Sequence, residues 1–447
     1  MFQGYGSNQL YIRGDGFGLN WTNGTEMEYL GYDAWTYNIT YSRSIDGYRC
    51  QECQNKTYLT GTKFQYRIFH KDLWNMQGPN FAIQLPVSAS SAYFTEVPQF
   101  TVYPRFQWSN GTAKTLVINS TYIGDERRVV VYLPPSYYEN TYKSYPAIFV
   151  FDLDVNFTYL SWDSLQNPIT PYGITDEYIL LGFADYGDME NKRIQLMTPS
   201  EGGNMECING TYETFCDGCI PADANDTTFL EYLCNECGRP ARRGGQGDDT
   251  LDFLLYEVLP EALNLTNNRI DNSSLGIMGY SLGGLMSCYA AWTRPQYFKY
   301  AACQSPSFWW PSNENYTQSY FEFLNVTLKD PTHWHNRPNQ KIYIDTGGQE
   351  IRWPFYLTDS AVEVARAIAE HELFTMDQNV WIHVSPDKGH GPVEFNARVW
   401  KALTTLYRAP GDMHSEITSG AVSNFLIHNI NQFLGIALLF LYKYWQF

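Results

Sequence analysis

Positive charge is scarce in this sequence. Lys and Arg number 30 against 47 Asp and Glu over 447 residues, a net charge of −17, and no basic run occurs. A phosphate backbone would be repelled, which argues against nucleic acid as a partner. Long hydrophobic runs are also missing. The cleanest, Phe433 to Tyr442, is too short for a bilayer, which needs ~20 residues. The first hundred residues hold no helical stretch of length, so strands have to build that part of the chain. No leader is visible: Met1-Phe2-Gln3-Gly4 opens directly into polar sequence. Removal of a signal peptide and a different compartment are the alternatives.

What is abundant points to a secretory lumen. Asn-x-Ser/Thr sites stand at Asn20, Asn23, Asn38, Asn55, Asn110, Asn119, Asn156, Asn209, Asn225, Asn264, Asn272, Asn315 and Asn325, thirteen in all. That density implies N-linked glycans and a secreted or extracellular-surface protein. Nine cysteines fit the same compartment. Cys50 and Cys53 form one C-x-x-C, and Cys207, Cys216, Cys219, Cys234 and Cys237 cluster in a polar stretch. The quartet from Cys216 to Cys237 has C-x2-C-x14-C-x2-C spacing, close to a zinc ribbon. Asn225 inside that loop and the oxidising lumen favour disulfides over metal. Cys288 and Cys303 fall in apolar sequence, where Cys288 reads as a small buried residue. Nine is odd, so one thiol at least is free or bridges two chains. The 35 Tyr and 13 Trp suit sugar-stacking surfaces and ordinary β-rich cores alike.

The length allows two or three domains, and 44% hydrophobic residues supply their cores. Residues 1–100 read as a small all-β sandwich, with runs such as Leu10 to Ile12, Trp35 to Ile39 and Phe64 to Ile68 between Gly, Asn and Asp. Residues 101–410 alternate strands and helices, the pattern of an α/β domain with a mainly parallel sheet. Its strand runs are Arg128 to Leu133, Ala147 to Phe151, Tyr178 to Phe183, Leu275 to Met278, Phe298 to Cys303, Lys341 to Asp345 and Val380 to Val384. Spacing at Leu251, Leu254, Leu255, Val258 and Leu259 predicts a helix. Residues 199–244 break the pattern as a Cys-rich insertion, either a pinned excursion over the site or a decorative loop. Residues 411–447 form a hydrophobic tail.

The chemistry centres on Gly279-Tyr280-Ser281-Leu282-Gly283, lying where a strand-like run becomes a helical one. This is the nucleophile-elbow pattern, in which a strained turn lifts a serine hydroxyl clear of the sheet. A glycine-rich packing turn is the plain alternative. A serine needs a base, and the base needs a third group to fix its tautomer. In the α/β-hydrolase fold these follow in the order Ser, acid, His. His390, in a loop after the Val380 strand, is the expected base. His371 lies in a helical stretch, His383 within a strand, and His414 and His428 in or near the tail. Glu350, past a glycine turn, is the favoured acid, and Asp345 at the strand end is its rival. The loser becomes a structural carboxylate that hydrogen-bonds the turn. Oxyanion donors are expected at the N–H of Leu282 and in the loop after Phe149-Val150-Phe151-Asp152, at Leu153 or Asp154, with Asp154 the choice. This chemistry calls for no cofactor and no metal.

Two resemblances follow from particular residues. Lys63 to Arg67, Leu73-Trp74 and Gly78-Pro79-Asn80, with Ile12 to Gly16 and Leu19-Asn20-Trp21 upstream, resemble starch-binding-type carbohydrate-binding modules. That likeness implies stacking of sugar rings on some of Trp21, Trp35 and Trp74. From about residue 115 to 407 the chain resembles the esterase D and feruloyl esterase-like family of α/β hydrolases, which also holds acetylxylan esterases, siderophore esterases and mycolyltransferases. The matching stretches are Val131 to Tyr137, Arg193, Thr198-Pro199, Gly244-Gly245, Glu257 to Pro260, Gly279 to Gly284, Ser305 to Trp310, Gly347 to Glu350 and Gly389-His390, with Trp400 downstream. The resemblance implies an acid at position 350. It also implies Asp-Gly in the oxyanion loop, where this chain has Asp152-Leu153.

In the tail, Ser419, Gly420 and Ala421 precede a spacer and an apolar end, the order of a GPI-anchor signal. A retained membrane-associating helix and an ordinary packed helix are the alternatives. The combined expectation is a secreted or surface-anchored serine esterase that hydrolyses carboxylic esters, with acyl groups on polysaccharide as a substrate class. An acyltransferase is the rival among enzymes. A non-catalytic glycan-binding or structural glycoprotein is the rival outside them.

Overall fold

The computed structural model describes residues 9–31, 34–38, 41–44, 47–50, 57–58, 62–72, 74–76, 80–84, 110–153, 175–183, 189–202, 207–208, 211–212, 243–310, 323, 327–330, 339–350 and 357–407. Gln107–Ala409 makes one compact unit, and Met1–Phe106 falls in another.

In the larger unit an eight-stranded sheet is built from β1 (Thr112–Asn119), β2 (Glu126–Leu133), β3 (Ala147–Phe151), β4 (Ile179–Phe183), β5 (Leu275–Tyr280), β6 (Phe298–Gln304), β7 (Lys341–Gly347) and β8 (Val380–Ser385). Their order across the sheet is β1-β2-β4-β3-β5-β6-β7-β8. β3 to β8 run parallel, and β2 is antiparallel to both β1 and β4. This is the α/β-hydrolase arrangement.

The strands alternate between two cores. Phe149 and Phe151 of β3 face one apolar cluster, with Leu285 and Met286 of the helix Leu282–Thr293 and Val364 and Ile368 of the helix Leu357–Ala369. Ile148 and Val150 face the other, with Val399, Ala402 and Leu403 of the helix Pro392–Leu406. Burial of both faces explains the uninterrupted apolar runs of β3 and β4. The expected helix near Leu251 spans Gly247–Phe253 and Leu259–Leu265, joined by a π-helical turn at Leu254–Val258. One disulfide, Cys288–Cys303, ties the helix after Ser281 to β6. Cys288 is therefore a paired sulfur and not the simple small core residue expected from its setting. Seven cysteines remain, still an odd number.

The smaller unit is antiparallel. Phe81–Gln84, Lys63–His70, Leu10–Gly14 and Thr25–Glu26 lie side by side, and Trp74–Asn75 also pairs with Lys63–His70. Leu10, Ile12, Tyr66, Ile68 and Met76 form its core. Shorter antiparallel pairings join Glu28–Gly31 to Ala34–Thr36, and Tyr41–Ser44 to Gly47–Cys50 and Thr57–Tyr58. The cysteine quartet, most of the 199–244 insertion, the tail with His414 and His428, Asp154 and the side chain of Trp74 lie outside what is described.

Candidate active site

Parallel strands end on one edge of a sheet, and that edge is where α/β folds gather chemistry. Ser281 follows β5, Glu350 follows β7, and His390 follows β8. Ser281 sits at φ 58°, ψ −119°, a conformation costly to a non-glycine residue. Its neighbours make the bend possible. A Cβ on Gly279 would lie 2.8 Å from the Gly283 backbone, and one on Gly283 would lie 2.8 Å from Phe151 Cβ. The helix Leu282–Thr293 therefore starts hard against β3, and the serine side chain is left at its N-terminus.

Backbone hydrogen bonds knit the acid turn to the histidine loop. Gly348 N–H donates to Ser385 O (2.7 Å), and Gln349 N–H donates to Lys388 O (2.9 Å). His390 Nδ1 lies 3.1 Å from Glu350 Oε2, and His390 Nε2 lies 3.2 Å from Ser281 Oγ. A carboxylate only accepts, so the proton of the neutral ring belongs on Nδ1 and Nε2 faces the hydroxyl as acceptor. Glu350 is buried, while the His390 side chain is 37% exposed. Solvent thus reaches the base and not the acid. The His390 and Phe395 rings are nearly perpendicular (centroids 5.0 Å, 89°), and Phe395 stacks on Tyr280 of the elbow (4.2 Å).

Asp345, the rival acid, does not face His390. It is fully buried, accepting from Arg398 Nε (3.2 Å) and Gln304 Nε2 (3.3 Å). It pairs with a cation where the sequence reading expected a turn-bonding carboxylate. The turn is bonded by Glu350 itself, whose Oε1 accepts from Gly347 N–H at 2.9 Å. Burial raises the Asp345 carboxyl to about 6, against the opposing pull of Arg398. His383 lies within β8 as expected and contacts Lys401 Nζ. His371 lies past the end of its helix, edge-on to Trp292.

Leu282 is the first residue of its helix, where a backbone N–H has no acceptor within the helix. On the other side, Asp152 stands at φ 57°, and its carboxylate takes a two-pronged contact from Arg193 (Nε 2.8 Å, Nη2 2.7 Å). Leu153 in place of glycine fits because Gly182 of β4 leaves room: a Cβ there would run into the Leu153 side chain. Ser307 was not singled out from sequence. Its buried hydroxyl lies 3.2 Å from Ser281 Oγ, and its N–H donates to Ser281 O (3.0 Å). Phe395, Arg398 and the hydroxyl of Ser305 were missed as well. No group of three or more His, Cys, Asp or Glu able to hold a metal occurs among the described residues.

The chain is similar to several known proteins. Residues 224–379 match the family model described as "Putative esterase". A curated relative, the siderophore triacetylfusarinine C esterase of Aspergillus fumigatus, is 37% identical over 68 residues. That match spans 15% of this chain and 23% of the relative's length. Among solved structures, the siderophore hydrolase EstB of Aspergillus nidulans aligns with a TM-score of 0.47 at 16% identity, over 70% of this chain and 97% of the other. The enterobactin esterase of Shigella flexneri gives 0.45 at 13% identity, over 89% of this chain and 87% of the other.

Proposed function

We propose that the protein is a serine hydrolase of carboxylic esters. Ser281 attacks the ester carbonyl while His390 Nε2 takes its proton. His390 then gives that proton to the leaving alcohol, and water repeats the cycle on the acyl-enzyme. Glu350 holds the imidazole in the tautomer that leaves Nε2 free and balances the imidazolium. The N–H of Leu282 and a second backbone N–H near Asp154 receive the oxyanion. One observation carries the reading: the unbroken chain from Ser281 Oγ through His390 to Glu350, at 3.2 and 3.1 Å.

The substrate class is an acyl group on a sugar polymer. Trp21 is 41% exposed, and the exposed Tyr29 packs against Trp35 (4.8 Å), the kind of surface on which sugar rings stack. The setting is secretory. All seven described glycosylation-site asparagines, Asn20, Asn23, Asn38, Asn110, Asn119, Asn264 and Asn272, are exposed, and the disulfide suits an oxidising lumen.

A fluorophosphonate probe tests the mechanism. It labels the wild type and spares Ser281→Ala; equal absence of labelling in both would favour a non-catalytic glycoprotein. Acylated xylan, a triester siderophore and chromogenic esters of varied chain length then rank substrates. Free acid as product separates hydrolysis from transfer, which yields a new acylated sugar.

A further inference from the structure

We propose that Arg398 is a positioning residue for the esterase chemistry, fixing the Glu350 carboxylate so that one oxygen alone is left for His390. The proposal rests on the serine-hydrolase reading above. Glu350 Oε1 is fully engaged. It accepts from Gly347 N–H (2.9 Å) and Ser305 Oγ–H (2.7 Å), and Arg398 Nη2 lies 3.5 Å away. Oε2 faces His390 Nδ1. Ser305 Oγ in turn accepts from Arg398 Nη2 at 2.6 Å. A hydroxyl that accepts from the guanidinium has its own proton directed at the carboxylate, so Arg398 sets the direction of that bond.

The same guanidinium settles which carboxylate serves the histidine. Its Nε binds Asp345 Oδ1 (3.2 Å), and Gln304 Nε2 holds Oδ2 (3.3 Å). Asp345 thus spends both oxygens away from His390. Arg398 is 1% exposed, and Asp345, Ser305, Gln304 and Glu350 are buried with it. Two carboxylates therefore share a buried interior with the Arg398 guanidinium, which contacts both. Lys401 also acts on Asp345 as a positive charge, and the Glu350 carboxylate gains its own counter-charge when His390 becomes imidazolium, which is the moment the mechanism needs it. Spacing adds a second link. Phe395 lies three residues earlier on the same helical face, its ring 5.4 Å from the guanidinium and nearly perpendicular to that of His390. Lysine cannot replace this fork, because an ammonium is a point donor without the planar geometry.

The test is Arg398→Lys in the full-length protein, made alone and with Glu350→Gln. The expected result is a fall of about 10–100-fold in kcat with KM changed less than about twofold, as when a group that orients a reacting residue is lost. In the Glu350→Gln background the same change costs less than about threefold, because the residue it acts through is already gone. Equal losses in both backgrounds, or an unchanged kcat, overturn the proposal while leaving Ser281 labelling intact. Absence of labelling in the wild type overturns the serine reading and this one together. Should Arg398→Lys not fold, Ser305→Ala carries the test: it removes the relay hydroxyl and no charge. It is expected to lower kcat about tenfold, with the same dependence on Glu350.

Discussion

The two sheets meet water differently. β3 and β4 of the large sheet are buried from end to end, whereas Lys63–His70 of the small sheet alternates buried and half-exposed residues. A sheet covered on both faces has no lateral surface to offer a ligand. Its polar chemistry is forced to the strand ends: Asp152, Ser281, Ser305, Glu350 and His390 stand beyond the ends of β3, β5, β6, β7 and β8, and Asp345 lies inside β7, two residues before its end. A sheet with one open face can present side chains along its length, which suits contact with an extended polymer more than bond cleavage.

Removing one atom at a strand end tests that division most severely. Ser281→Ala is expected to lower kcat/KM by about 10⁴–10⁶-fold, in line with loss of other triad nucleophiles, with far-UV circular dichroism unchanged. A loss under tenfold would place the chemistry elsewhere. Gly283→Val ranks next. Its branches would press on Phe151 Cβ and on Asp152, 2.8 and 3.3 Å from the first added carbon. The expected costs are about 1–3 kcal/mol of stability from overpacking and a fall in kcat of at least tenfold, read by urea unfolding and ester hydrolysis.

The large sheet also predicts a pH signature of its own. Burial raises Asp345 to about 6, so between about pH 4 and 6 the folded state holds a proton that the unfolded chain has released. Stability from this group is present below that window and lost as pH rises through it, about 3 kcal/mol in all. Asp345→Asn should flatten the rise in urea midpoint seen on acidification from pH 6 to 4. In the small sheet, Asp72 pairs with Arg13 at 2.8 Å, but both side chains reach solvent. Asp72→Asn is expected to move stability by less than about 1 kcal/mol.

Legibility in the sequence follows the same division. The inner strands were readable because double burial writes continuous apolar runs. β1 was not, because as an edge strand, Thr112–Asn119, it is mostly exposed and carries no such run. Ser281, His390 and Glu350 were readable because glycine turns and chain order mark them. Arg398 was not: one arginine in an amphipathic helix looks like a solvent-facing residue, and only the packing of Pro392–Leu406 on the sheet buries it. The Cys288–Cys303 bridge was hidden for a related reason. Each cysteine sits in apolar sequence, and what joins them is the return of the chain from β5 through the helix to β6. The π-helical turn at Leu254–Val258 left no mark in the spacing.

The gentlest test asks whether the small sheet matters to the chemistry at all. Ile68 lies at its centre, paired with Ile12 and almost fully buried. Ile68→Ala leaves a cavity that should cost the small unit about 2–5 kcal/mol, seen as an earlier step in urea unfolding followed by tryptophan fluorescence. The strand-end residues are untouched, so kcat/KM on a small chromogenic ester should stay within about twofold of wild type. Turnover of an acylated polysaccharide should fall further than that, because loss of a stacking surface weakens capture of a polymer and spares the bond-breaking step. A parallel fall on both substrates would mean that the smaller unit supports the catalytic edge directly, and the contrast between a binding sheet and a reacting sheet would have to be given up.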